Sequence, residues 1–358
     1  MAANNSNSLL GNRQPTLSTT ASNNKRKATD PNLKIITIDE LYDVTLIVGT
    51  PDHPNGQMAF RINKGSLRNA TKVWAKMLSG DWAESDMSEI PFTDDSCFAF
   101  QIVLQIAHLQ FHELPTSLTL QKLMDVATLA DKYELARILR PVTETKKWLQ
   151  PHRVSPAVWR TSTAIQEFAF ITETLGSEDD LKYLINKLAM NVRIDIIGGY
   201  YPFTSDGTKD RLRLDLLDRI SAQVISLRMK ILEEILNFCK NALHNVVTRK
   251  VARCKQTSCP IGSIGILIQT FNSAGLFPLP DKTSSMGRSV CDYWLGLREL
   301  TTMYNNYGAQ YCKITTVVNN RQRSACFGDF GIVGETRAVL KKYAHKDVWA
   351  QWKVEKLV

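Results

Sequence analysis

This chain of 358 residues lacks most of the signatures that announce a chemistry. No run of 18 or more apolar residues occurs, so no membrane span is expected. The first twenty residues, MAANNSNSLLGNRQPTLSTT, lack the charged-then-apolar layout of a secretory signal. There are only six histidines, and neither a G-x-S-x-G elbow nor a glycine-rich phosphate loop is present. The Cys and His spacing of a C2H2 finger is also missing, which counts against a DNA-reading helix. Seven cysteines, an odd number spread from Cys97 to Cys326, argue against a disulfide framework. They favour a reducing compartment, and the expected localisation is nucleus and/or cytoplasm.

What is present is ordinary globular material. Hydrophobic content of 44% suffices for a sizeable core, and the length favours two domains. The net charge of +9 is uneven: residues 241–358 hold sixteen Lys/Arg against seven Asp/Glu, a surplus that accounts for all of it. A basic C-terminal third suits nucleic acid, an acidic protein or anionic lipid, or is simply a solvated face. The basic residues are scattered without interleaved aromatics, which weakens the nucleic-acid reading.

Residues 1–35 are rich in Asn, Ser and Thr and are expected to be a disordered tail. Lys25, Arg26 and Lys27 within it form either a short nuclear-import signal or a chance basic cluster. Order is expected from about Lys34. The β-branched run Asp43 to Gly49 (DVTLIVG), the turn TPDHPNG and the run Met58 to Ile62 read as a hairpin. From Lys64, Leu67, Ala70, Val73, Met77 and Leu78 recur at helical spacing. Ser88 to Phe92 reads as a third strand. Thr93, Asp94 and Asp95 offer caps for a helix carrying Phe98, Ile102 and Ile106. Two further helices follow over Leu118–Tyr133 and Glu134–Leu139, the last ending near Pro141. Short strands covered by about five helices make a compact α+β unit.

Four blocks in order, DVTLIVG, F-x-x-x-K-x-x-L over Phe60–Leu67, V-x-x-K-M-L-S-G over Val73–Gly80, and LADKYEL over Leu129–Leu135, resemble a BTB/POZ domain across residues 41–140. The resemblance implies a non-enzymatic interaction protein that binds a second copy of itself or another BTB protein. In that family an Asp and a strand-to-helix basic residue form a charged pocket at a homodimer interface. The matching positions are Asp43 and Lys64, and Asn63 stands where the family often has His. Read without the family, Asp43 starts a strand and Lys64 caps a turn. Many members also bind a cullin scaffold and present substrates for ubiquitination. The matching stretch, Phe98 to Leu114, contains the hydrophobic-x-Glu triplet Phe111–Glu113, although Phe111 fits a core position equally well.

Residues 141–255 read as a helical region, with Gly176 splitting two helices and GGYYPFTSDG as a loop. Leu217, Ile220, Val224, Leu227, Ile231 and Ile235 begin a stripe expected to span a helix of about 35 residues. That helix either packs on its own domain or pairs as a coiled coil. Residues 256–358 form the basic C-terminal region. No cofactor is expected except a structural zinc. Cys254 and Cys259, a C-x4-C pair, would bind it with Cys312, or with Cys326, Cys239 or His244. The alternative is that these are buried free thiols. The order of BTB domain, long helix, C-x4-C and the helix around SVCDYWLGLREL is similar to that of fungal BTB-containing proteins. The rival function is a nuclear transcription or chromatin-associated scaffold acting through the basic region.

Overall fold

The computed structural model describes residues 33–52, 56–80, 82–194, 200–201, 212, 220–248, 258–311, 315–318, 321–324 and 331–350. The architecture is α+β: a small sheet covered by helices, then a mainly helical C-terminal region. The strands β1 (Lys34–Thr37), β2 (Val44–Val48), β3 (Met58–Ile62) and β4 (Glu89–Phe92) form one sheet in the order β1-β3-β2-β4. The expected hairpin is there, with β2 and β3 antiparallel and Leu46 opposite Phe60. Along β2 the side chains of Val44, Leu46 and Val48 are buried and alternate with half-buried Thr45 and Ile47, as a sheet covered on one face requires. Gly49 ends β2 at a φ of +74°, where a Cβ would lie 2.4 Å from the Gly56 carbonyl oxygen. Only glycine fits that turn.

Order begins near Lys34 as expected, but as a first strand that the sequence reading did not foresee. Lys34 and Ile35 pair parallel with Met58 and Ala59 of β3, and a partner strand distant in sequence leaves no local pattern. The rest of the tail, with Lys25, Arg26 and Lys27, lies outside the described residues.

Two helices follow β3, α1 (Lys64–Ala70) and α2 (Lys72–Met77). Thr71 separates them, extended at φ −152°, its hydroxyl accepting from Val73 N and donating to the Tyr133 carbonyl 2.6 Å away. A threonine hydroxyl competing for backbone groups ends one helix and caps the next. Helix α3 (Cys97–Ala107) is capped by Ser96, not by residues 93–95. Asp95 is instead buried, accepting from Lys132 Nζ at 2.8 Å and from the Tyr133 hydroxyl at 2.7 Å. Burial and the Asp95 bond both push the Tyr133 hydroxyl far above the ordinary range. Helix α4 spans Leu120–Lys132 and α5 spans Ala136–Lys146. Pro141 thus lies inside α5 rather than near its end; as an exposed residue it keeps its ring in solvent while Leu139 and Thr143 pack inward.

After the single turn α6 (Gln150–Arg153) come α7 (Ser162–Leu175) and α8 (Glu178–Asn191), split at Gly176 as expected. A reciprocal capping box joins Ser177 and Asp180 at the start of α8. Arg193–Ile194 (β5) pairs with Tyr200–Tyr201 (β6), so part of the expected loop is a short ladder. Helix α9 (Ser221–Val247) is 27 residues long, shorter than expected. Its apolar stripe is covered within the chain by α8, α10 (Ser258–Ala274) and α12 (Ile332–Tyr343), which is the packed alternative rather than the coiled coil. Helix α11 (Val290–Tyr311) lies against α10, and a hairpin of β7 (Thr315–Val318) and β8 (Arg321–Ser324) precedes α12.

The apolar interior forms two clusters. The first runs from Ile38 to Val224 and the second from Tyr183 to Val348. They share α8, which turns Leu184 and Leu188 into the first and Tyr183 and Met190 into the second. A helix apolar on two faces is what joining two cores requires.

Candidate interaction surface

The start of β2 and the β3–α1 turn meet at one end of the sheet. Asp43 accepts from the Lys64 backbone amide through Oδ1 at 2.7 Å. Lys64 Nζ turns elsewhere and donates to the carbonyls of Ser85 and Met87 at 2.7 and 3.2 Å. The sequence therefore brings the two candidate residues together, but as carboxylate to backbone rather than as an ion pair. An ammonium carries three hydrogens and a carboxylate two oxygens, so each charge keeps capacity for another partner. Asn63 caps α1 by accepting from Gly65 N at 2.8 Å.

Large apolar side chains stand in solvent in the segments that hold this pair, 41–43 and 82–87. Leu41 is 83% exposed, Tyr42 43%, Met87 41% and Trp82 50%. Tyr42 precedes Asp43 directly, and the Met87 carbonyl is one of the two that hold Lys64, so these groups border the charges. Arg61 lies over the Tyr42 ring, 5.0 Å from its centroid. Large apolar side chains exposed beside charged groups are candidates for an interaction site.

The loop after α3 adjoins the same end. His108 Nε2 accepts from Asn63 N at 3.2 Å, and Gln110 Nε2 donates to the Ile38 carbonyl at 2.6 Å. Between and beyond them Leu109, at φ +62°, is 72% exposed and Phe111 43% exposed. Phe111 is therefore on the surface and not in the core. Glu113 is exposed too and lies 3.3 Å from His112. Sequence reading missed Leu41, Tyr42, Trp82, Met87, His108 and Gln110. Apolar residues beside a strand look like core until the fold shows which side is covered.

For the expected zinc, Cys259 falls in the first turn of α10, while Cys254, Cys312 and Cys326 lie outside the described residues. Cys239 is buried in α9, where loss of water pushes its thiol up to about 12. A thiol held protonated in an apolar core is no ready ligand. Among the described residues, one His/Asp/Glu group has ligand-like spacing: Asp179, His345 and Asp347, within 4.8 Å of one another. Arg153 already supplies its positive charge, donating to Asp179 and Asp347 at 3.0 Å each and to Asp180 at 2.6 Å. That cluster ties α6 and α8 to the C-terminal segment.

The N-terminal part is a small sheet closed by helices, with Tyr42, Met87 and Phe111 exposed on its surface, an α+β fold. Residues 37–148 match the BTB/POZ domain family, and this part of the chain is a BTB/POZ domain. Its general role is to bind protein. The match is wider than 41–140 and reaches Trp148, which is buried with its indole nitrogen donating to the Pro115 carbonyl at 3.0 Å. No curated protein matches the chain. No described helix is long and apolar enough to cross a membrane.

Proposed function

We propose that the chain is a homotypic interaction protein whose BTB/POZ domain associates with a second copy through the surface around Asp43 and Lys64. The observation that carries this reading is that Asp43 and Lys64 meet at one turn, each with bonding capacity left, in segments that also expose Leu41, Tyr42, Met87 and Trp82. Opposite charges on one surface are self-complementary across a two-fold axis, where each residue meets the other's counterpart. Burial of the exposed apolar side chains supplies affinity, and the charges set register. Sedimentation of the full chain across a range of concentrations tests the proposal. A monomer–dimer equilibrium is expected, weakened by Lys64→Glu. A monomer at every concentration refutes it.

The second reading is a cullin-type ubiquitin-ligase adaptor, supported by the exposure of Phe111 and Glu113. It calls for low-micromolar binding to the N-terminal part of a cullin, lost when both residues become Ala. A chromatin-associated scaffold would instead show a salt-sensitive DNA affinity through the basic C-terminal region.

A further inference from the structure

We propose that His108 is a proton-sensitive positioning residue that holds the β3–α1 turn, and with it the homotypic surface, in its binding shape only while the imidazole is neutral. This inference rests on the homotypic reading above. His108 is the C-terminal cap residue of α3 and reaches across 45 positions of sequence to the turn. Its two ring nitrogens have opposite duties. Nδ1 lies 2.8 Å from the Leu104 carbonyl and must donate, because a carbonyl only accepts. Nε2 lies 3.2 Å from the Asn63 amide nitrogen and must accept, because a backbone N–H only donates. A neutral imidazole with its hydrogen on Nδ1 meets both demands; an imidazolium, which has no acceptor, meets one.

Protonation therefore leaves the bond to Leu104 intact and sets two N–H groups against each other at Asn63. The residues affected are those that build the surface. Asn63 caps α1 with its side chain, and the next residue, Lys64, gives its amide to Asp43. The charged and titratable groups on the elements packed against α3 and on the adjoining loops are Arg61 of β3, Lys64 and Arg68 of α1, Lys122, Asp125, Asp131 and Lys132 of α4, Arg137, Arg140, Glu144 and Lys146 of α5, Asp39, Glu40 and Asp43 before β2, and His112 and Glu113 after α3. None of them bonds a ring nitrogen of His108. The loss at Asn63 is therefore not offset by a carboxylate that would welcome the added charge.

The test uses the full chain in two measurements at about pH 7.5 and pH 5.5, the window in which imidazoles change charge. In the first, NMR follows the Asn63 amide and the His108 ring through the titration; one common midpoint is expected. In the second, sedimentation gives the dimer dissociation constant, expected to rise about fivefold at the lower pH for one lost backbone bond. His108→Gln keeps an acceptor near the Nε2 position and does not titrate, so it should dimerise equally at both pH values. His108→Asn, too short to reach Asn63, should be weak at both. An Asn63 amide that ignores the His108 titration overturns the proposal, as does a dimer whose affinity ignores pH while Asn63 responds. A wild-type chain that is monomeric throughout sinks the homotypic reading instead, and the NMR titration still decides the role of His108.

Discussion

Replacing Arg153 by Met isolates one buried charge and tests how the two cores are tied. Arg153 is 5% exposed and Asp180 7%. The guanidinium donates to Asp180 Oδ1 through Nε at 3.0 Å and Nη2 at 2.6 Å, with Asp179 and Asp347 taking its outer hydrogens. Burial alone would lower the affinity of Arg153 for its proton, and the bonds from Asp180 and Asp179 outweigh that. With Met in its place, Asp180 keeps only the Ser177 amide and hydroxyl, at 2.9 and 2.8 Å. A buried carboxylate stripped of its cation costs about 3–5 kcal/mol. Asp180→Asn costs less, about 1–3 kcal/mol, since Arg153 still has two partly exposed carboxylates and an amide oxygen still serves the cap. The double variant removes both charges and should fall short of the sum by about 1–3 kcal/mol. Urea unfolding followed by tryptophan fluorescence reads this well, because the Trp159 indole donates to the Arg153 carbonyl at 2.8 Å. Additive losses, or an Arg153→Met cost below about 1 kcal/mol, would refute the argument.

Three other outcomes are expected. Trp74, fully buried between Phe100 and Tyr133, should cost about 3–5 kcal/mol as Ala. Its Nε1 finds no acceptor among the described residues, so Trp74→Phe should cost much less by the same unfolding assay. Asp292 joins α11 to β5 through paired bonds of 2.8 Å from Arg193. Burial would raise its pKa, but Arg193 and Ser289 outweigh it and the net shift is downward. A depressed folded pKa gives stability that is present above about 3.9 and lost as pH falls through the folded value. Asp292→Asn should therefore flatten that part of the acid limb in a pH series of melting curves. Finally, Cys239 should resist a thiol reagent in the native chain and react on unfolding, which mass mapping of the labelled peptide would show.

The sequence by itself determined the local elements whose pattern is periodic. Alternation along Val44–Val48 yields a strand, Gly176 breaks α7 from α8, and the stripe through Val224, Ile231 and Ile235 yields α9. The family resemblance singled out Asp43 and Lys64, and the fold joins them through the Lys64 backbone amide. What depends on a partner distant along the chain was decided by tertiary structure. Lys34–Thr37 is a strand because β3 lies beside it. Asp95 is no helix cap because Lys132 and Tyr133 reach it first. Nothing in the sequence pattern marked Leu41 or Tyr42, and Phe111 fitted surface and core alike; all three stand in solvent because no described element covers them. Hydrophobicity is a property of the residue, but burial is a property of its neighbours, and only the folded chain supplies those.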